Sequence, residues 1–322
     1  MTFHRKRLYI QIVFNSVVIP LAEIKTKIGL LQLKNPTMLA SGIMDEDAGS
    51  MKRIIKCGAG ALVTKSIGLQ PRQGYLNPTV IELEYGILNA MGLPNPGIDH
   101  FGEEIIQLKK SKTPIIASIY GANSKEFIKL GQKMEDYGVS AIELNLSCPH
   151  AKRFGLEVGS DPKLIEIITS SVKVNVNIPV YVKLSPNVTN ISELAKAAES
   201  GNADAIVAIN TVKAMKIDLD IKKPILSNKI GGYSGRAINP IGVRCVYEIA
   251  ESVDIPIIGV GGILTGEDAI EYMMAGACAV QIGVGVYYRE IDVFNKINKE
   301  IKKWMEKHSI KKITEIIGAA HK

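Results

Sequence analysis

A thiol, two lysines and an asparagine each close a short apolar run in this chain. Cys148 ends Glu143-Leu-Asn-Leu-Ser-Cys-Pro-His150, Lys65 follows Leu62-Val-Thr64, Lys183 follows Val180-Tyr-Val182, and Asn210 follows Ala205-Ile-Val-Ala-Ile209. A cysteine acts as base or nucleophile only as its thiolate, which forms near neutral pH when the site is electropositive. Lysine at the mouth of a buried sheet is costly unless it meets an anion. Two of them beside a thiol therefore suggest a site for an electron-rich ligand. Asn89 and Asn145 fall in the first long loop and at a strand end. Side-chain amides both donate and accept, so several together can read a planar ring of alternating N–H and C=O groups. Asparagine also favours turns, which accounts for Asn89 more readily than for Asn210, which ends a strand just before Thr211.

Such chemistry needs a scaffold that brings strand ends to one place. From about residue 37, β-rich runs alternate with amphipathic helical patterns. Strands are expected at 37–40, 61–64, 114–118, 141–145, 180–183, 205–209, 256–260 and 279–282; helices at 124–137, 162–174, 192–200, 242–252 and 266–275. Continuously apolar strands are covered on both faces. Eight of them alternating with helices predict an α/β fold, a single (β/α)8 TIM barrel over residues 24–322. Two connections, 68–101 and 211–239, are longer than a barrel needs. Long loops at the C-terminal strand ends are where barrels carry lids and substrate contacts. Residues 1–23 form an N-terminal extension. Its apolar stretch, 8–21, is too short and too polar for a transmembrane helix, and no small-residue cleavage site follows as in a signal peptide. An extra strand or hairpin capping the barrel, or a start-site extension, is expected there.

Gly261-Gly262 follows the seventh strand and Gly283 the eighth. These are the positions of the barrel phosphate site, where backbone N–H groups and a helix N-terminus receive a phosphate. A phosphorylated cofactor such as FMN is the expected occupant. The four cysteines, Cys57, Cys148, Cys245 and Cys278, are far apart with no CxxC spacing, so no metal site is expected. Dispersed thiols suggest a reducing, cytoplasmic compartment. The 39 Lys and Arg exceed the 32 Asp and Glu by 7, most densely over 296–304. Apolar residues there recur with helical spacing, so the lysines read as a solvated face and not as a nucleic-acid patch. A basic surface also suits an anionic substrate.

The chain resembles the class 1 dihydroorotate dehydrogenases, most closely their type B catalytic subunit, from about residue 24 to the C-terminus. The likeness rests on Asn35-Pro-Thr-Met-Leu-Ala-Ser-Gly42, Thr64-Lys-Ser66, Asn89-Ala-Met-Gly-Leu-Pro-Asn-Pro-Gly97 and Asn145-Leu-Ser-Cys-Pro149. It continues in Lys183-Leu-Ser-Pro-Asn-Val188, Ile209-Asn-Thr211, Gly231-Gly-Tyr-Ser-Gly235 and Gly259-Val-Gly-Gly262. The resemblance implies FMN-dependent oxidation of dihydroorotate to orotate in pyrimidine synthesis. Cys148 would remove the C5 proton while hydride passes from C6 to the flavin N5. Lys65, Asn89, Ala90, Met91, Gly92, Leu93, Asn145, Asn210 and Thr211 would hold the substrate. Ser41, Lys65, Ser66, Asn145, Lys183, Ile209, Gly235, Gly261, Gly262, Gly283 and Val284 would hold FMN, with Lys183 near the flavin's N1 and O2 end.

Two positions depart from the family's pattern. Val284 stands where a threonine usually offers the phosphate a hydroxyl, which leaves more to backbone N–H groups. His150 stands where many members carry an asparagine that touches the substrate; the related dihydropyrimidine dehydrogenase domain also has histidine. A flavin-dependent reductase of another pyrimidine base is therefore the alternative, although Met215-Lys-Ile-Asp-Leu219 and Lys223-Pro-Ile-Leu-Ser227 look like the orotate enzyme. A barrel that has lost catalysis is a third reading, opposed by the intact Cys148, Lys65 and asparagine set. Type B relatives pass electrons to NAD through a second subunit carrying FAD and an iron–sulfur cluster. The resemblance implies such a partner, or direct use of fumarate or a quinone, on a homodimeric core. Cysteine in place of serine as the base argues against the membrane-bound class 2 enzymes.

Overall fold

The computed structural model describes residues 22–146 and 159–322. Within them a hairpin of β1 (Thr26–Ile28) and β2 (Leu31–Leu33) precedes the barrel strands. These are β3 (Thr37–Leu39), β4 (Ala61–Val63), β7 (Ile115–Ile119) and β8 (Ala141–Asn145), followed by β9 (Val180–Leu184), β10 (Ala205–Ala208), β15 (Ile257–Val260) and β16 (Ala277–Ile282). All eight lie where the apolar runs predict, and they close in the order β10-β15-β16-β3-β4-β7-β8-β9 with every pair parallel. Pro114 and Pro256 fall just outside the strands expected to contain them. Without an N–H they cannot donate to a ladder, but their carbonyls still accept from Leu62 and Ile206.

The period-2 alternation of strand side chains sorts the core into two layers. Leu39, Leu62, Ile142, Val182 and Ile206 point outward and pack under the helices. Met38, Val63, Ile116, Tyr181, Val207 and Ile258 point inward and fill the barrel, with Ile28 and Leu33 of the hairpin closing its lower end. Moving up the barrel, the inward positions change character. Ser118, Glu143, Lys183 and Gln281 are inward-facing, polar and buried, each two residues beyond an apolar inward neighbour. The apolar plug thus ends where a polar floor begins.

The helices start and stop on local signals. Asn123 accepts from Glu126 N–H ahead of Ser124–Tyr137, and Gly138 ends that helix at φ 85°, a conformation that favours glycine. Asp161 and Asn190 cap Pro162–Lys173 and Ile191–Ser200. Thr265 and Asp268 form a capping box on Gly266–Met274. Helices at Ala48–Lys56 and Ile98–Leu108, not among the expected helices, complete the ring with Asn239–Ala250 and Val293–Lys307, the last carrying the lysine-rich run.

The two long connections are more ordered than loops. β5 (Val80–Leu83) and β6 (Gly86–Asn89) from the first join β11 (Val212–Ala214) and β14 (Gly231–Ser234) from the second in one antiparallel sheet ordered β11-β14-β6-β5. A two-stranded ribbon of β12 (Ile217–Asp218) and β13 (Lys223–Pro224) extends from it. Most of the N-terminal extension, with Cys148 and His150, lies outside the described residues. Glu23 is described and exchanges backbone hydrogen bonds with Lys311 and Ile313 of the C-terminal tail. Among the described residues no helix is long and apolar enough to cross a membrane.

Candidate active site

The C-terminal strand ends and the antiparallel sheet together enclose a cavity of about 530 Å³, within the range of small-molecule sites. Its wall includes Ser41, Lys65, Ser66, Asn89, Met91, Gly92, Leu93, Asn145 and Lys183. Ile209, Asn210, Thr211, Gly235, Gly261, Gly262, Gly283 and Val284 also line it. These residues come from every part of the chain and meet only because the barrel closes. Among the described site residues singled out from sequence, Ala90 is the exception: it is fully buried in a small core with Leu88 and Leu226, behind the cavity wall.

The floor is a charged bridge across the barrel. Lys183 Nζ lies 3.4 Å from Glu143 Oε1 and donates to Gln281 Oε1 at 3.2 Å; Gln281 Nε2 donates to Glu143 Oε2 at 2.7 Å. β16 and β8 sit opposite each other in the barrel order, so the Gln281–Glu143 bond spans its interior. Glu143 has no exposed surface. A carboxylate so placed is tolerated only with its charge met, and here an ammonium and an amide meet it. Sequence reasoning assigned no role to Glu143 or Gln281. The readable signal was a charged residue inside Ala141-Ile-Glu-Leu-Asn145, a strand otherwise suited to burial on both faces.

Beside the floor runs a chain of hydroxyls. Asn145 Nδ2 donates to Ser66 Oγ at 2.9 Å, the Ser66 and Ser118 hydroxyls hydrogen-bond to each other at 2.8 Å, and Ser41 Oγ lies 3.3 Å from Ser66 Oγ. Thr211 N–H donates to Asn210 Oδ1, and Asn187 Nδ2 donates to the Thr211 carbonyl, holding the end of β10 against β9. The stretch after β6 is held by Asn95. Its Nδ2 donates to Leu93 O and Tyr120 OH, while its Oδ1 accepts from the N–H groups of Gly68 and Gly97. Gly92 sits at φ 78° and Leu93 at φ 59°. A Cβ on Gly92 would lie 2.8 Å from the Tyr75 backbone N, so this tight turn requires glycine.

A second part of the cavity is shaped for a phosphate. Gly261 and Gly262 follow β15 with φ 133° and 67°. A Cβ on Gly262 would come within 2.7 Å of Gly235 O and 2.8 Å of Asn239 N. The 3-10 turn Arg236–Ile238 runs straight into the helix Asn239–Ala250, so Asn239 N–H is already held by Arg236 O and Pro240 has none, but the buried Asn239 Nδ2 has no acceptor among the described residues. An unfilled amide donor beside a glycine cradle is what an anionic group satisfies. Gly266–Met274 contributes none, because its own capping box fills its N-terminus. Val284 has no hydroxyl to offer, so near Gly283 only backbone is available.

Around Lys65 the loop after β3 supplies two carboxylates. Lys65 Nζ donates to Glu46 Oε1 at 2.8 Å. Asp45 has no exposed surface; its Oδ2 accepts from Gly42 N–H at 2.6 Å and its Oδ1 has no partner among the described residues. Burial pushes the Asp45 carboxyl up from its usual 3.8 to about 6, against the pull of the Gly42 N–H and of Lys65. The folded state therefore disfavours the ionised form. The stability this group contributes is full below about 3.8 and is lost as pH rises through about 6. Asp45→Asn, which keeps an acceptor for Gly42, is expected to raise the melting temperature at pH 8 but not at pH 4. The gap between the two values corresponds to about 3 kcal/mol. Equal melting curves of variant and parent at pH 8 would contradict this reading of Asp45.

Residues 23–305 match the family model described as dihydroorotate dehydrogenase. The chain is 53% identical over 302 residues to the dihydroorotate dehydrogenase B (NAD(+)) catalytic subunit of Methanocaldococcus jannaschii, covering 92% of this chain and 98% of that one. It is 52% identical over 302 residues to the protein of the same name in Thermoplasma volcanium, covering 94% and 100%. The counterpart in Pyrococcus furiosus is 50% identical over 300 residues, with coverage of 93% and 99%.

Proposed function

This chain belongs to the dihydroorotate dehydrogenase family, and from that premise we propose that it is an FMN-dependent, class 1 type B catalytic subunit that oxidises dihydroorotate to orotate in pyrimidine synthesis. The observation that carries the reading is the pairing of two unlike halves in one cavity. Lys65, Asn145, Asn210 and Thr211 offer one cation and several amide and hydroxyl groups to a flat anionic ring. Gly261 and Gly262 offer backbone donors, and Asn239 a side-chain amide, to a phosphate.

The residues fit FMN, whose phosphate suits the glycine cradle. When bound, FMN supplies the acceptor for the hydride that leaves C6 of dihydroorotate. The phosphate end would be held by Gly261, Gly262, Gly283 and the backbone of Val284. Ser41, Ser66, Ile209 and Gly235 would contact the rest of the cofactor, to which Lys183 would offer a buried positive charge. The Asn145–Ser66–Ser118 hydrogen bonds fix the Asn145 amide so that it reads the substrate without reorganising. Asn89 to Leu93, held by Asn95, close over the substrate ring from the antiparallel sheet, Ala90 supporting them from behind. Lys65 meets the substrate carboxylate, and its charge favours a thiolate at Cys148, three residues beyond Asn145. That thiolate takes the C5 proton.

The relatives are named catalytic subunits of NAD(+)-using enzymes, which supports a separate electron-transfer subunit, carrying FAD and an iron–sulfur cluster, as the partner. A homodimeric core and a cytoplasmic location complete the proposal. Orotate and uracil added separately to the flavin-loaded protein test the substrate class. Orotate is expected to shift the flavin absorbance with saturation, and uracil to leave it unchanged at the same concentrations. The reverse result would transfer the assignment to the reductases of uncharged pyrimidine bases.

A further inference from the structure

Both lysines of the cavity already hold an anion, and the two anions differ in kind. The partners of Lys183 are buried with it inside the barrel. Lys65 is just as buried, yet its partner Glu46 keeps 67% of its side chain in solvent. Glu46 takes no part in the cavity wall.

The backbone around Glu46 is fixed on both sides. Asp45 anchors one side through its bond from Gly42 N–H and through its carbonyl, which accepts from Lys65 N–H at 3.2 Å. Asp47 anchors the other by capping the helix Ala48–Lys56, accepting from Ser50 N–H at 2.8 Å. Between two fixed neighbours, only the Glu46 side chain is free to turn, and it turns toward water. A buried ammonium without a partner is costly, whereas an exposed carboxylate is readily rehydrated and its ion pair is weak.

We propose that Glu46 is a resident counter-ion of Lys65, displaced by the carboxylate of an incoming ligand, and that it thereby sets the affinity of the site for anionic pyrimidines. The proposal rests on the function assigned above. In the free enzyme Glu46 keeps the Lys65 charge satisfied. On binding, the ligand carboxylate exchanges with Glu46 instead of meeting a bare cation, so part of its attraction to Lys65 is cancelled. Substrate and product both carry that carboxylate, and both are held less tightly for it. A ligand without the charge leaves the Lys65–Glu46 pair in place and is indifferent to Glu46.

Flavin-loaded parent protein, Glu46→Gln and Glu46→Asp are titrated with orotate and with orotate methyl ester, following flavin absorbance and, independently, heat. Glu46→Gln is expected to bind orotate about three- to fivefold more tightly at low ionic strength, the scale of an exposed ion pair. That gain should shrink toward 1 M salt, where screening reaches about 3 Å. Glu46→Asp keeps the charge but is one methylene too short for the contact, and should fall between the two. The methyl ester should bind all three proteins alike, and KM for dihydroorotate should follow the orotate Kd. Unchanged or weaker orotate binding by Glu46→Gln, or an equal gain for the ester, would overturn the proposal. Failure of the parent protein to bind orotate would instead overturn the function on which it rests, and the proposal with it.

Discussion

Cys148→Ala is expected to lower the rate of dihydroorotate oxidation at pH 7 by about 10²–10⁴-fold, the usual contribution of a positioned general base, while flavin and orotate stay bound. The argument runs by the environments of the thiols. Cys245 lies in the buried face of the helix Asn239–Ala250, and burial pushes its thiol up to about 11. Cys278 lies at the start of β16, and burial pushes it up to about 12. Both are protonated at any working pH. Cys57 ends the helix that leads into β4, and so lies at the barrel face opposite the cavity. Cys148 alone follows the C-terminal end of a barrel strand in the sequence, three residues beyond Asn145, which lines the cavity together with Lys65. Cys148→Ser separates the base from mere bulk: a hydroxyl is a far weaker acid than a thiol, so activity should reappear only as pH rises. Turnover of the alanine variant within tenfold of the parent at pH 7 would sink the assignment.

Lys183→Met is expected to be the most destabilising single change in the site. It leaves Glu143, wholly buried, with the Gln281 amide as its remaining donor. Removing one partner of a buried pair costs about 3–5 kcal/mol. At roughly 2–4 °C per kcal/mol, the melting temperature should fall by about 10 °C, and flavin should be lost. Adding Glu143→Gln removes the stranded charge, so the double variant should recover most of the stability. It should not recover the flavin, because the positive charge is still missing. A single variant that melts like the parent would show that Glu143 is not a buried anion balanced by Lys183. Full flavin affinity in the double variant would remove Lys183 from the cofactor's contacts.

The barrel was legible because its strands are buried on both faces, and burial writes itself as unbroken apolar runs such as Ala205–Ala208 and Ile257–Val260. The antiparallel sheet was not. Gly231–Ser234 and Val212–Ala214 are short and glycine- or lysine-bearing; they pair with each other about twenty positions apart, but Gly231–Ser234 also pairs with Ile87–Asn89 some 145 positions back, and no local pattern encodes a partner at that distance. The same contrast holds within the site. Lys65, Asn145 and Lys183 stand out as polar groups at the ends of apolar strands. Glu143 and Gln281 sit inside such strands, where the period-2 alternation places them in the barrel, but only closure shows that they face each other. Nothing in the sequence singles out Glu46 within Asp45-Glu-Asp47. Its importance lies in the lysine it reaches, nineteen positions along the chain.

The most direct measurement is the anaerobic addition of dihydroorotate to the purified, flavin-loaded chain, followed at the flavin absorption band. Rapid bleaching with formation of one orotate per flavin is the expected result. A band that stays unbleached while flavin remains bound and dihydroorotate is in excess would contradict the central claim that this cavity oxidises dihydroorotate.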